Sequence, residues 1–186
     1  MNCVFGYPRS GTNFLTLSYN NGSNGKVHNV HDLELFSGNS YGNVFSPIRN
    51  PLDSIVSFSI AYNYNENNKT IADFKDLLYP IEAYKNNYAS ILKNNNIIFK
   101  LEDFKNINKI VKFMCNKTGD HFYGSVNLEI VNHQLKVIET SMKKDYFRKS
   151  FVDNPLYDEV FKYYKDFDLT DCIELYKEAE ALSVKI

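Results

Sequence analysis

The sequence has no tryptophan, three cysteines and, among 21 basic residues, only three arginines, Arg9, Arg49 and Arg148. Cys3, Cys115 and Cys172 are far apart and form no Cys-x-x-Cys pair, which argues against a disulfide framework or a zinc site and predicts free buried thiols. No apolar run approaches the ~20 residues needed to span a bilayer. The start, Met1-Asn2-Cys3-Val4-Phe5, lacks the basic and apolar regions of a signal peptide, so the expectation is a cytoplasmic protein without a membrane span. An excess of one charge is also missing. With 21 basic and 22 acidic residues and a net charge of -1, binding of nucleic acid through bulk positive charge is not expected, although a local basic pocket is compatible with these numbers.

What is present suits a globular chain: 186 residues, 44% of them hydrophobic and 15% aromatic. A chain of this size buries roughly 70% of its unfolded surface, and no linker, repeat or biased segment divides it, so residues 1–186 read as one domain. Cys3 to Tyr7 reads as a strand, Pro8 to Gly11 as a tight loop, and Thr12 to Tyr19 as a helix, with a turn over Asn20 to Gly25. Lys26 to Val30, Gly42 to Ile48 and Asn96 to Leu101 read as further strands. Pro51 is placed to open a helix reaching about Tyr62, helical spacing continues from Ile71 to Leu92 with Pro80 interrupting it, and Ile107 to Cys115 is amphipathic. The C-terminal third is less regular, with helices expected from Pro155 to Tyr164 and Leu169 to Leu182. Strands alternating with helices imply an α/β fold of three layers, α/β/α, on a mainly parallel sheet of four to five strands, with a helical C-terminal part.

Gly6-Tyr7-Pro8-Arg9-Ser10-Gly11-Thr12-Asn13 has the strand-loop-helix setting of an anion cradle, in which backbone N–H groups and the positive end of a helix converge. Its glycines match the first half of a Walker A pattern, making the expected fold P-loop-like. Thr12-Asn13 stands where a nucleotide triphosphatase has Lys followed by Ser or Thr, so the cation of this loop is Arg9. Pro8-Arg9-Ser10-Gly11-Thr12-Asn13-Phe14-Leu15 resembles the 5'-phosphosulfate loop of the sulfotransferases that use 3'-phosphoadenosine 5'-phosphosulfate (PAPS), written P-[KR]-[ST]-G-T-[TS]. Arg49-Asn50-Pro51, with Ser57 eight residues after Arg49, resembles that family's 3'-phosphate segment. Phe99-Lys100-Leu101-Glu102-Asp103-Phe104 is similar to its strand ending in Y-E-D-L, with Leu101 in place of the tyrosine, and Arg148-Lys149 resembles its C-terminal R-K-G segment, with Ser150 in place of the glycine. The arginine scarcity points the same way: where lysine supplies ordinary surface charge, a guanidinium is distinctive for bidentate contact with phosphate or carboxylate.

The resemblance implies transfer of a sulfuryl group from PAPS to a hydroxyl or amine by in-line displacement, leaving 3',5'-adenosine diphosphate and requiring no metal. It implies cofactor contacts from Pro8, Arg9, Ser10, Gly11, Thr12, Asn13, Phe14, Arg49, Ser57, Arg148 and Lys149, with Arg9 also acting catalytically on the leaving phosphate. For the general base, comparison with carbohydrate-type members favours Asp32, while His31 is the rival whose ordinary pKa suits proton abstraction better, and His28 stands behind both. Asp32 is equally suited to cap a helix beginning at Leu33. His28 and His31 are spaced H-x-x-H, but no third ligand accompanies them, and no metal site is expected. The aromatics Phe58, Tyr62 and Tyr64 suit a core more readily than a substrate site. The acceptor is open among small molecules, glycans and peptides, as is assembly as a homodimer. The rivals are a P-loop nucleotide or small-molecule kinase and a non-catalytic nucleotide-binding protein.

Overall fold

The structure is a computed structural model that describes residues 1–37, 39–63, 70–141 and 156–186. Among these residues four strands form one parallel sheet in the order β2-β1-β3-β4, with β1 at Asn2–Phe5, β2 at Val27–Val30, β3 at Val44–Ile48 and β4 at Ile97–Lys100. Parallel pairing requires long crossovers. Helix α1 (Thr12–Gly22) makes the first, α2 (Leu33–Ser37) lies within the second, and α3 (Pro51–Asn63) and α4 (Tyr79–Lys93) make the third. Then follow α5 (Ile107–Thr118), α6 (Leu128–Ser141), α7 (Tyr157–Lys165) and α8 (Thr170–Ala181).

Because strand side chains alternate between faces, the short apolar strands serve two cores at once. Cys3, Phe5, Ile48 and Ile98 point into one, completed by α3, α4, α7 and α8. Val4, Phe45 and Phe99 point into the other, completed by α1, α5 and α6. The result is the expected three-layer α/β/α arrangement. Proline is unusual in a central strand, yet Pro47 lies in β3. Extending the register in which Val4 faces Phe45 puts Pro47 opposite Gly6, where β1 has ended and the chain turns into the loop.

Three expectations need correction. Asn20 and Asn21 do not begin a turn but continue α1, because their side chains bond outward: Asn20 exchanges two bonds with the backbone of Val27, and Asn21 Nδ2 donates to the Leu17 carbonyl and to Gln134. The segment from Ile71 to Leu92 is divided, but the break lies before Pro80 and not at it: a 3-10 turn at Ile71–Asp73 is separated from α4, and Pro80 sits in the first turn of α4, where its missing N–H costs nothing. Helix α6 was not expected at all.

Candidate anion site at the strand ends

Connections leave β1 and β3 toward opposite faces of the sheet: α1 packs on one core and α3 on the other. In open α/β sheets ligands bind beyond the carboxyl ends of the strands at such a switch point. The residues after β1 are Gly6 to Gly11, and those after β3 are Arg49 and Asn50. Both segments singled out in the sequence therefore flank one crevice.

The loop is shaped by its own residues. Ser10 donates both its N–H (3.2 Å) and its hydroxyl (2.7 Å) to the Tyr7 carbonyl, so its side chain builds the turn from a buried position. Arg9 and Gly11 have positive φ, 73° and 94°. At Gly11 the requirement for glycine is double, since a Cβ there would also stand 2.8 Å from Leu101 and 2.9 Å from Phe104. Gly11 is the N-cap of α1 and has no side chain to give, leaving the first-turn N–H groups of Thr12, Asn13 and Phe14 without an intrahelical acceptor. The Phe14 ring packs on Phe104 at 5.6 Å. Asn13, exposed, accepts a hydrogen bond from Asn29.

The arginines meet across the crevice. Arg9 Nε donates to Ser57 Oγ at 3.3 Å, and Arg49 Nη1 donates to the Arg9 carbonyl at 3.4 Å. Ser57, on α3, is nearly fully buried, while both arginines are half-buried. Arg49 makes no ion pair among the described residues. Its backbone is held firmly: Tyr88 Oη accepts from the Arg49 N–H and donates to its carbonyl, both at 2.9 Å, and Tyr84 Oη donates to the same carbonyl at 3.0 Å. Burial raises the pKa of both tyrosines, so they stay protonated donors. The i, i+4 spacing of this pair marks a helix face and gives no sign that the hydroxyls reach the end of β3.

His31 lies just beyond β2 and joins the loop. Its Nδ1 is 3.1 Å from the Gly6 carbonyl, which can only accept, so Nδ1 carries the proton of the neutral ring. Nε2 then accepts from Thr12 Oγ1 (3.1 Å) and from Asn29 Nδ2 (3.2 Å). Burial lowers the His31 pKa below 6.5, the Gly6 bond opposes this, and the positive charge of Arg9 adds to it. Asp32 is exposed, and its Oδ1 accepts from the N–H groups of Glu34 (2.8 Å) and Leu35 (3.0 Å), capping α2. His28, on β2, is exposed, and among the described residues no group of three or more His, Cys, Asp and Glu side chains could hold a metal. Arg148, Lys149 and Tyr64 lie outside the described residues.

The arrangement offers donors: two guanidiniums and open helix N–H groups, a set suited to anionic oxygens. Phe58 and Tyr62 cluster with Tyr7 and Tyr79, Phe58 meeting Tyr7 edge to face at 5.2 Å. No helix among the described residues is long and apolar enough to cross a membrane. Compared with protein-family models, with curated proteins and with solved structures, the chain gives no match.

Proposed function

We propose that this chain is a PAPS-dependent sulfotransferase acting on a hydroxyl or amine. The observation that carries the reading is the direct linkage of Arg9, Ser57 and Arg49 across the switch-point crevice, which joins the two segments that resemble the family's phosphate-binding elements. PAPS supplies an activated sulfuryl group whose bond to the 5'-phosphate breaks as the acceptor attacks. In this reading the first-turn N–H groups of α1, the Thr12 hydroxyl and Arg9 hold the 5' end, and Arg9 neutralises charge as it builds on the leaving phosphate. Arg49 and Ser57 hold the 3'-phosphate, with Tyr84 and Tyr88 fixing the position from which Arg49 reaches. Asp32, exposed beyond β2, takes the acceptor's proton; its carboxylate at the same time fixes α2, and with it the wall on that side. Small molecules, glycans and peptides are the acceptor classes to screen, in the monomer or a homodimer.

Calorimetric titration with 3',5'-adenosine diphosphate tests the cofactor class without an acceptor. The expected result is metal-independent binding with little affinity for magnesium ATP. Removing a hydrogen bond to a charged ligand group is worth about 1.5–3 kcal/mol, so Arg49→Ala should weaken binding roughly 10- to 150-fold. Preference for magnesium ATP would replace the proposal by a kinase, and binding of neither nucleotide would overturn it.

A further inference from the structure

The hydrogen-bond chain through His31 constrains how Thr12 can serve an anion. A neutral imidazole has one N–H, and here that proton is on Nδ1, donated to the Gly6 carbonyl. The single lone pair of Nε2 is shared by the Asn29 N–H and the Thr12 hydroxyl, and a Thr12 proton aimed there leaves only lone pairs elsewhere, the wrong polarity for a negative ligand. If Thr12 turns its proton to an anion, its oxygen and His31 Nε2 would face each other as two acceptors at 3.1 Å. Moving the ring proton to Nε2 only transfers the conflict to the Gly6 carbonyl. A second proton on the ring resolves both contacts.

We infer that anion capture by this loop takes up one proton, on His31 Nε2. The inference rests on the proposed anion-binding role of the loop, and it assigns His31 a positioning role that leaves proton abstraction to Asp32. A neighbouring acceptor is already in place. Asn29 Oδ1 is buried without a hydrogen-bond partner, and rotating that amide by half a turn replaces its N–H at Nε2 with this oxygen. Asn13, bonded to the same amide, is exposed and can turn with it. The groups facing the ring are the Gly6 carbonyl from the end of β1, Arg9 from the loop, Thr12 from α1 and Asn29 from β2. Arg9 is the charge among them. Asp32 and Glu34 follow on the chain, and the Asp32 carboxylate bonds to α2. An anion beside Arg9 cancels the positive charge that opposes protonation, and so favours the imidazolium a second time.

Proton and anion must then promote each other's binding equally, since coupling is reciprocal. Free His31 is neutral at pH 7, so anion affinity should fall as pH rises through and above 6.5, until the bound form also loses its proton. Inorganic sulfate is the appropriate probe because it stays a dianion over this range, whereas a phosphate group changes its own charge within it. One proton taken up per anion predicts a dissociation constant that rises about tenfold per pH unit between pH 6.5 and 7.5. His31→Gln retains an amide that donates without titrating, and its sulfate affinity should be nearly independent of pH. In the wild-type protein, proton NMR of the His31 ring with and without saturating sulfate should show its pKa raised by well over one unit, a readout that does not depend on how the variant folds. A pH-independent sulfate affinity in the wild type, the same pH slope in His31→Gln, or an unmoved His31 signal while 3',5'-adenosine diphosphate binds would each overturn the inference and leave the anion site standing. Binding of neither sulfate nor the nucleotide at any pH would overturn the site and the inference together.

Discussion

Arg9 has φ 73°, in the left-handed region where a side chain normally costs about 1–2 kcal/mol. The loop has to enclose its mouth within the few residues between the end of β1 at Phe5 and the start of α1 at Thr12, and it places a charged side chain at a position that backbone sterics would give to glycine. Comparing two truncations separates the backbone from the side chain. Arg9→Ala and Arg9→Gly lose the same guanidinium and the same bond to Ser57, but only the glycine relieves the positive φ. At ordinary positions alanine is the more stabilising of the two by roughly 0.5–1 kcal/mol; here the order should reverse by about 1 kcal/mol. For a chain of this length that is a melting temperature about 2–4 °C higher for Arg9→Gly than for Arg9→Ala. Equal melting temperatures, or alanine the higher, would mean that the loop carries no such strain.

At the scale of the elements, α2 is a five-residue helix too short to hold itself, and it depends on Asp32 at its start and on Phe36 stacked against Phe5 at 3.9 Å. This separates the two roles given to Asp32. Asparagine caps a helix about as well as aspartate but cannot take a proton, so Asp32→Asn should keep the thermal stability and the nucleotide affinity of the wild type and lose turnover by 100-fold or more, within the usual 10²–10⁴ contribution of a general base. Asp32→Ala should in addition lose about 1 kcal/mol of stability. Full turnover by the asparagine variant in a sulfuryl-transfer assay would return the choice of base to the remaining candidates. Elements with strong local signals were legible in the sequence. Pro8 and Gly11 mark the loop after β1, Pro51 opens α3, and the apolar strands stand out between polar turns. Helix α6 was not legible because Leu128, Ile130 and Val137 are exposed while Val131 and Leu135 face inward, and that disposition blurs the apolar stripe. The end of α1 was hidden for a different reason: turn-forming asparagines remain helical because their amides find partners distant in sequence. The same distance hid the centre of the site. The eight-residue spacing of Arg49 and Ser57 gave no sign that the Ser57 hydroxyl also meets Arg9, 48 residues away, a contact fixed by how α3 crosses the sheet.

For the whole molecule, the informative fact is that one thin sheet supplies both cores. Cys3 lies in the core under α3, α4 and α8, together with Cys172, while Cys115 lies in the other core under α1 and α6. All three thiols are free and buried. Burial pushes Cys3 up to about 12 and Cys172 to about 11, the latter partly offset by the Lys85 charge, and it raises Cys115 as well. The reactive thiolate is therefore nearly absent at pH 8 until the chain opens. With a stability of about 5 kcal/mol or more, usual for a domain, labelling by a disulfide reagent should be at least roughly 10³-fold slower than in the denatured chain. The relative rates then report cooperativity. Val4 and Phe5, or Ile98 and Phe99, are adjacent residues of one strand facing opposite cores, so peeling either helical layer away exposes a sheet face whose strands the other layer still needs. The three cysteines should consequently be labelled at one common rate, resolved by mass spectrometry of their peptides after a timed pulse. Faster labelling of Cys115 than of Cys3 and Cys172 would show that the layer of α1, α5 and α6 opens as a unit of its own. Because α1 carries Thr12 and the open N–H groups at the mouth of the crevice, such an opening would also unmake the anion site, and sulfate should slow it selectively.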